Sequence, residues 1–141
     1  MSLLGIDVGT GGCQVTAFSL EGMALAQTYR AYEVITGPHG LREMDSRRVW
    51  AAVRSAIRQV ATQTRRDPIQ AISVASTGEA LTPLSADGRI LGNSILALDE
   101  QRGCRISQIE QQLGVDHLFD ITGNIPGNLY PLHILCWLRE T

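Results

Sequence analysis

The chain has 141 residues, 44% of them hydrophobic and 18% charged, a size and balance that suit one soluble domain burying roughly two thirds of its unfolded surface. A net charge of -2 argues against a dedicated nucleic-acid binder, and no apolar run is long enough to span a membrane. All twelve basic residues are arginine, which excludes chemistry that needs an amine: a Walker loop ending in lysine, a protein-kinase strand lysine or a Schiff base.

Leu4, Ile6 and Val8 alternate with Gly5, Asp7 and Gly9, the period-two pattern of a strand that ends at Gly9. Gln14 to Leu20 predicts a second strand, Glu21-Gly22 a tight turn and Met23 to Tyr32 a third strand, together an antiparallel meander. Residues 36–40 read as a loop. Asp45 or Ser46 can cap a helix whose apolar residues Val49, Trp50, Val53, Ile57 and Val60 recur near helical spacing, with Trp50 assigned to the core and Asp67-Pro68 closing the helix. Ile69 to Ala75 reads as a strand buried on both faces, interrupted at Ser76-Thr77-Gly78. Ala80 to Leu84 and Arg89 to Leu91 flank Asp87-Gly88, a second hairpin signal, and Ile95 to Leu98 is a short apolar strand. A helix from about Glu100 carries Ile106, Ile109 and Leu113 and stops at Gly114; a last helix opens at Pro131, with Trp137 on its apolar face. The chain stops inside that last helical pattern, so its expected domain, residues 1–141, reads as incomplete.

The strongest local feature is Gly5-Ile6-Asp7-Val8-Gly9-Thr10-Gly11-Gly12, a strand with one carboxylate opening into a glycine-rich turn. Glycines let amides approach a phosphate closely, the Thr10 hydroxyl adds a donor, and a strand-end aspartate suits Mg²⁺. The plainer alternative is a hairpin whose glycines serve only the turn. Cys13, Cys104 and Cys136 are odd in number and widely spaced, which suggests neither disulfides nor zinc and fits a reducing cytoplasm. The N-terminus lacks the basic and apolar regions of a signal peptide. His39, His117 and His133 fall on predicted loop, loop and helix, too scattered for a metal cluster, and Cys13 reads as a packing residue.

The element order resembles the opening of a ribonuclease-H-like unit as found in actin-like ATPases: an α/β domain whose mixed sheet starts with three antiparallel strands and carries flanking helices. The segment Leu4 to Gly22 resembles the first phosphate motif of the FGGY carbohydrate kinases, the group that holds glycerol kinase, xylulokinase and gluconokinase. The likeness continues at Glu43-Met44-Asp45, at Ile72 to Glu79, at Leu96 to Arg102, at Ile121-Thr122-Gly123 and at Tyr130 to Glu140, in the expected order.

The resemblance implies transfer of a phosphoryl group from ATP, with Mg²⁺, to a hydroxyl of a sugar or polyol, in a cleft between two actin-like domains. It places Asp7, Gly9, Thr10, Gly11 and Gly12 at the ATP phosphates, with Asp7 toward the metal. It places Ser76, Thr77, Gly78, Glu79, Asp99, Glu100 and Arg102 at the sugar, with either Asp99 or Glu100 as the acid of the acid-x-Arg pattern. It puts the base aspartate beyond residue 141, so this segment alone is expected to be inactive. A small-molecule sugar or polyol substrate, no nucleic acid and no membrane are the expected partners, with a homodimer as one option and the oligomeric state left open. Gly11 stands where threonine or serine is frequent, Gln14 where a basic residue is common and Ile134 where lysine is frequent. Two alternatives stay open: another actin-like ATPase, and a non-catalytic sugar-binding or interaction module.

Overall fold

In the computed structural model, which describes residues 1–37, 41–96, 103–125, 127 and 130–140, the alternating opening forms β1 (Ser2–Val8), β2 (Gly12–Ser19) and β3 (Ala24–Ala31). The strands pair antiparallel with Leu4 opposite Ala17, Ile6 opposite Val15 and Val15 opposite Thr28. Because side chains alternate between faces, this register gathers Leu4, Ile6, Cys13, Val15 and Ala17 on one buried face. Gly22, at φ +84°, makes the β2–β3 turn, and Ser19 closes it by accepting from the amides of Glu21 and Met23 at 3.2 and 3.3 Å.

Two strands that were not foreseen follow: β4 (Val34–Thr36) and β5 (Arg42–Met44), paired with Val34 opposite Met44. The expected loop thus begins inside β4, and residues 38–40 lie outside the described residues. Next comes α1 (Ser46–Gln63), capped by Asp45, whose carboxylate accepts from the amides of Arg47 and Arg48, both at 3.0 Å. Helix α1 lies against β2 and β3 through Val53, Ala56 and Val60, and the Arg30 guanidinium on β3 donates to Gln59 Oε1 of the helix. Trp50 is 57% exposed, contrary to the core assignment. The buried stripe passes through positions 49, 53, 56 and 60, and residue 50 stands about 100° round the helix from residue 49, on the flank.

The chain then returns as β6 (Ile69–Ser76), parallel to β1, with Leu4 opposite Ile72, Ile6 opposite Val74 and Val8 opposite Ser76. The first sheet therefore has the order β3-β2-β1-β6. Burial of β6 on both faces is not observed: Ile72 and Val74 are 61% and 63% exposed. They share a face with Leu4 and Ile6, but α1 covers the β2–β3 half of that face, and β6 is the sheet's edge among the described residues.

The second sheet, β4-β5-β8-β7, adds β7 (Ala80–Leu81) and β8 (Ser94–Leu96). The hairpin predicted around Asp87-Gly88 is present, with Gly88 at φ +79°, but beyond Leu81 its arms meet only in one bridge between Leu84 and Ile90. A chain of hydroxyls ties this sheet to α1: Ser46 Oγ donates to the Gly92 carbonyl at 3.0 Å, which leaves it to accept from Ser94 Oγ at 2.9 Å and Ser94 to accept from Thr82 Oγ1 at 2.7 Å.

Residues 97–102 lie outside the described residues, and α2 (Gly103–Leu113) follows them. Gly114, at φ +80°, ends α2 as predicted, its amide donating to the Glu110 carbonyl at 2.8 Å. A short helix not foreseen, α3 (Val115–Thr122), starts at once and places His117 on a helix, where a loop was expected. Gly123, left-handed at φ +69°, closes α3, and α4 (Leu132–Glu140) begins after Pro131. Ile134 on α4 is fully buried against Ile95 of β8, which accounts for an apolar residue at that position.

Replacing Asp45 with alanine is expected to lower stability by about 1 kcal/mol, measured by urea denaturation, whereas Asp45→Asn, which keeps an acceptor, should change it little.

Candidate phosphate and sugar site

Strands β1 and β2 are joined by the turn at residues 9–12, where the Gly9 amide donates to the Gly12 carbonyl at 2.9 Å. Two further carbonyls of the turn, those of Gly9 and Gly11, are held from β3 and its end. Tyr32 Oη donates to Gly9 O at 2.8 Å, Tyr29 Oη to Gly11 O at 2.9 Å, and the Tyr32 amide to Gly11 O at 3.2 Å. The amides of Thr10 and Gly11 make no hydrogen bond among the described residues. A Cβ at Gly12 would collide with the Tyr29 phenol and stand 2.6 Å from the Arg30 carbonyl, whereas one at Gly11 would meet Tyr29 Oη at an ordinary 3.9 Å. Glycine is therefore a steric requirement at position 12 and not at position 11.

Asp7 is exposed at the end of β1, on the sheet face away from α1, in a cross-strand row with Gln14 and Tyr29. Its carboxylate has no hydrogen bond or ion pair among the described residues. Among those residues no group of three or more His, Cys, Asp or Glu side chains is placed to hold a metal. Cys13 is fully buried, and its thiol pKa is raised chiefly by that burial, as suits a packing residue. Tyr32 is pushed up to about 12, first by burial and then by Cys13, Tyr29 and Asp7 as neighbouring acidic groups, so it stays a donor at neutral pH.

The second loop leaves β6 beside this turn. Val8 O accepts from the Thr77 amide at 2.9 Å and from Thr77 Oγ1 at 3.2 Å, so Ser76 and Thr77 sit against the end of β1. Glu79, just before β7, has φ +70°, the sole positive φ at a non-glycine among the described residues. Its Oε2 is buried without a hydrogen-bond partner. A left-handed glutamate and an orphaned buried oxygen each cost on the order of 1–3 kcal/mol, and such costs gather at ligand sites. Space at Gly78 is open.

The structure thus brings Asp7 and the 9–12 turn together with Ser76 and Thr77, and carries Glu79 on the same loop; Asp99, Glu100 and Arg102 lie outside the described residues. Clefts of about 560 and 260 Å³ open beside Arg47, Ile90 and Leu91, and one of about 340 Å³ beside Tyr32 and Arg48, none reaching Asp7 or Glu79. The described residues supply one wall of a site and do not enclose it. Sequence reading missed the roles of Tyr29 and Tyr32, and the buried Glu43, which accepts from Asn93 Nδ2 at 2.8 Å. Counting back from the Glu21-Gly22 turn would have set both tyrosines near the glycines.

Residues 2–141 match the N-terminal domain of the FGGY family of carbohydrate kinases. The chain belongs to that family. It is 29% identical over 141 residues to the xylulose kinase of Escherichia coli, covering 97% of this chain and 28% of that protein, and 25% identical over 140 residues to the xylulose kinase of Bacillus subtilis, covering 98% and 28%. The ligand-bound xylulose kinase of Lactobacillus acidophilus superposes with a TM-score of 0.82 at 25% identity, covering 99% of this chain and 28% of that one. The xylulose kinase of Rhodospirillum rubrum superposes at 0.88 with 20% identity, covering 99% and 30%, a likeness of fold. The chain therefore spans under a third of these FGGY relatives. Its mixed sheet with flanking helices is the actin-like ATPase fold of the family, as the sequence resemblance implied. No helix among the described residues is long and apolar enough to cross a membrane.

Two measurements check the electrostatics of this wall. A phenol harder to ionise folded than unfolded stabilises fully below pH 10, and that contribution is lost as pH rises through about 12; Tyr32→Phe should flatten the stability–pH slope in that window. Glu79→Gly, which removes both the left-handed side chain and the orphaned carboxylate, is expected to raise stability by about 1 kcal/mol in urea denaturation.

Proposed function

We propose that the chain forms the N-terminal part of the first domain of a kinase that moves the γ-phosphoryl group of ATP to a hydroxyl of a sugar, polyol or sugar acid. One observation carries the reading: the glycine turn after β1 and the Ser76–Glu79 loop after β6 leave the same ends of adjacent parallel strands, joined at Val8 and Thr77. Ligands of α/β folds collect beyond such strand ends.

In this reading Gly9, Thr10, Gly11 and Gly12 receive the ATP phosphates through backbone amides and the Thr10 hydroxyl. Asp7 fits Mg²⁺ arriving with ATP, because that ion keeps several waters and takes one or two carboxylates plus phosphate oxygens rather than an all-protein cage. When bound, the ion would neutralise phosphate charge at a turn that has no basic residue of its own, residues 7–14 holding neither arginine nor lysine. Ser76, Thr77, Gly78 and Glu79 line the sugar, with Asp99, Glu100 and Arg102 as further partners; the unpaired Glu79 oxygen is a ready acceptor for a substrate hydroxyl. In the transfer the sugar oxygen attacks the γ-phosphorus, ADP departs, and the hydroxyl proton passes to a carboxylate base. No residue of this chain is assigned that role, and residues 1–141 alone are expected not to turn over. A cytoplasmic small-molecule kinase, as a monomer or homodimer, completes the reading.

The substrates named for the relatives, xylulose foremost, set the order of assay, followed by gluconate and glycerol. In the complete protein Asp7→Ala is expected to lower kcat by about 100-fold or more with the fold intact; near-normal turnover would sink the assignment. Glu79→Ala should raise the sugar KM by about tenfold with the ATP KM unchanged, and an effect confined to ATP would contradict the role given to that loop.

A further inference from the structure

We infer that Tyr29 and Tyr32 are positioning residues for nucleotide binding, holding the 9–12 turn by its carbonyls so that its free amide faces a phosphate. The nature of that anion rests on the kinase reading above; the clamp itself rests on geometry.

A peptide unit is planar, with its carbonyl and amide pointing in opposite directions. Fixing the Gly9 carbonyl with Tyr32 Oη at 2.8 Å therefore fixes the Thr10 amide, which has no partner among the described residues. Fixing the Gly11 carbonyl with Tyr29 Oη at 2.9 Å and the Tyr32 amide at 3.2 Å likewise sets the plane between Gly11 and Gly12. Without these bonds, three glycines in four positions would leave the turn many conformations to lose when an anion binds. Gly12 shows how closely the parts are matched, since any side chain there would run into the Tyr29 phenol. The glycine at that position makes room for both the tyrosine and the Arg30 carbonyl. Tyr32 is also packed against the main core cluster, so the clamp is anchored on a rigid part of the fold.

The test uses the complete protein with Tyr29→Phe, Tyr32→Phe and the double substitution, which keep the rings and remove only the hydroxyls. Each hydroxyl lost is expected to weaken calorimetric binding of Mg·ADP about fivefold and to raise the ATP KM in parallel, with the sugar KM unchanged. Hydrogen exchange should quicken at the bonded amides of the turn, those of Gly9 and Tyr32, and not along β1–β3. Unchanged Mg·ADP affinity, or faster exchange spread evenly over the three strands, would overturn the inference and leave the tyrosines a structural role alone. If the wild type phosphorylates no sugar yet binds Mg·ADP in a tyrosine-dependent way, the kinase reading falls and the clamp stands. If it binds no Mg·ADP, both fall.

Discussion

Strand β1 is paired on both sides in opposite senses, and the site depends on that. Its antiparallel partner β2 demands a tight reversal, and its parallel partner β6 can be reached only by a crossover, here the passage through β3 to β5 and α1. The reversal and the end of β6 consequently lie at the same end of the sheet. The Val8 carbonyl, with two lone pairs, accepts from both the amide and the hydroxyl of Thr77 and stitches the two loops together. Two distant stretches of sequence share one place because a single strand is flanked by one neighbour of each direction.

Around this junction the chain accepts local costs that its core does not need. Glu79 sits in a left-handed conformation with one oxygen buried and unpartnered, while the hydroxyl chain from Thr82 through Ser94 to Ser46 is fully satisfied a short distance along the sequence. Against a total stability of about 5–15 kcal/mol for a typical domain, even 1–3 kcal/mol at one residue is a large concession. The contrast between a satisfied network and an orphaned carboxylate oxygen just before β7 of the same sheet supports a ligand role for Glu79.

Most of the fold was legible where periodicity runs long. The meander, α1 with its Asp45 cap, the Gly114 stop and the Pro131 start all follow from local rules with clear physical causes. Strands β4 and β5, three residues each, are too short for alternation to register, and α3 follows Gly114 so directly that the glycine reads only as an end. Trp50 and β6 were misjudged for one reason: hydropathy tells what a residue prefers, while burial depends on where the neighbouring helix lies, and α1 lies over β2 and β3. Asp7 and the glycine turn were visible in sequence because their chemistry is local. The tyrosines that hold the turn were not, since their partners are carbonyls, which every residue has, at sequence distances of 18 and 23.

The edge at β6 bears on how the polypeptide behaves in a test tube. Ile69–Ser76 contains no charge and no proline, and Ile72 and Val74 stand open to water on a strand whose outer edge has no pair among the described residues. Natural sheets blunt such edges with lysine, proline or bulges, and this chain has no lysine to use. Handled as an isolated 141-residue piece, it carries a segment suited to cross-β stacking, with solubility governed by that strand more than by its net charge of -2.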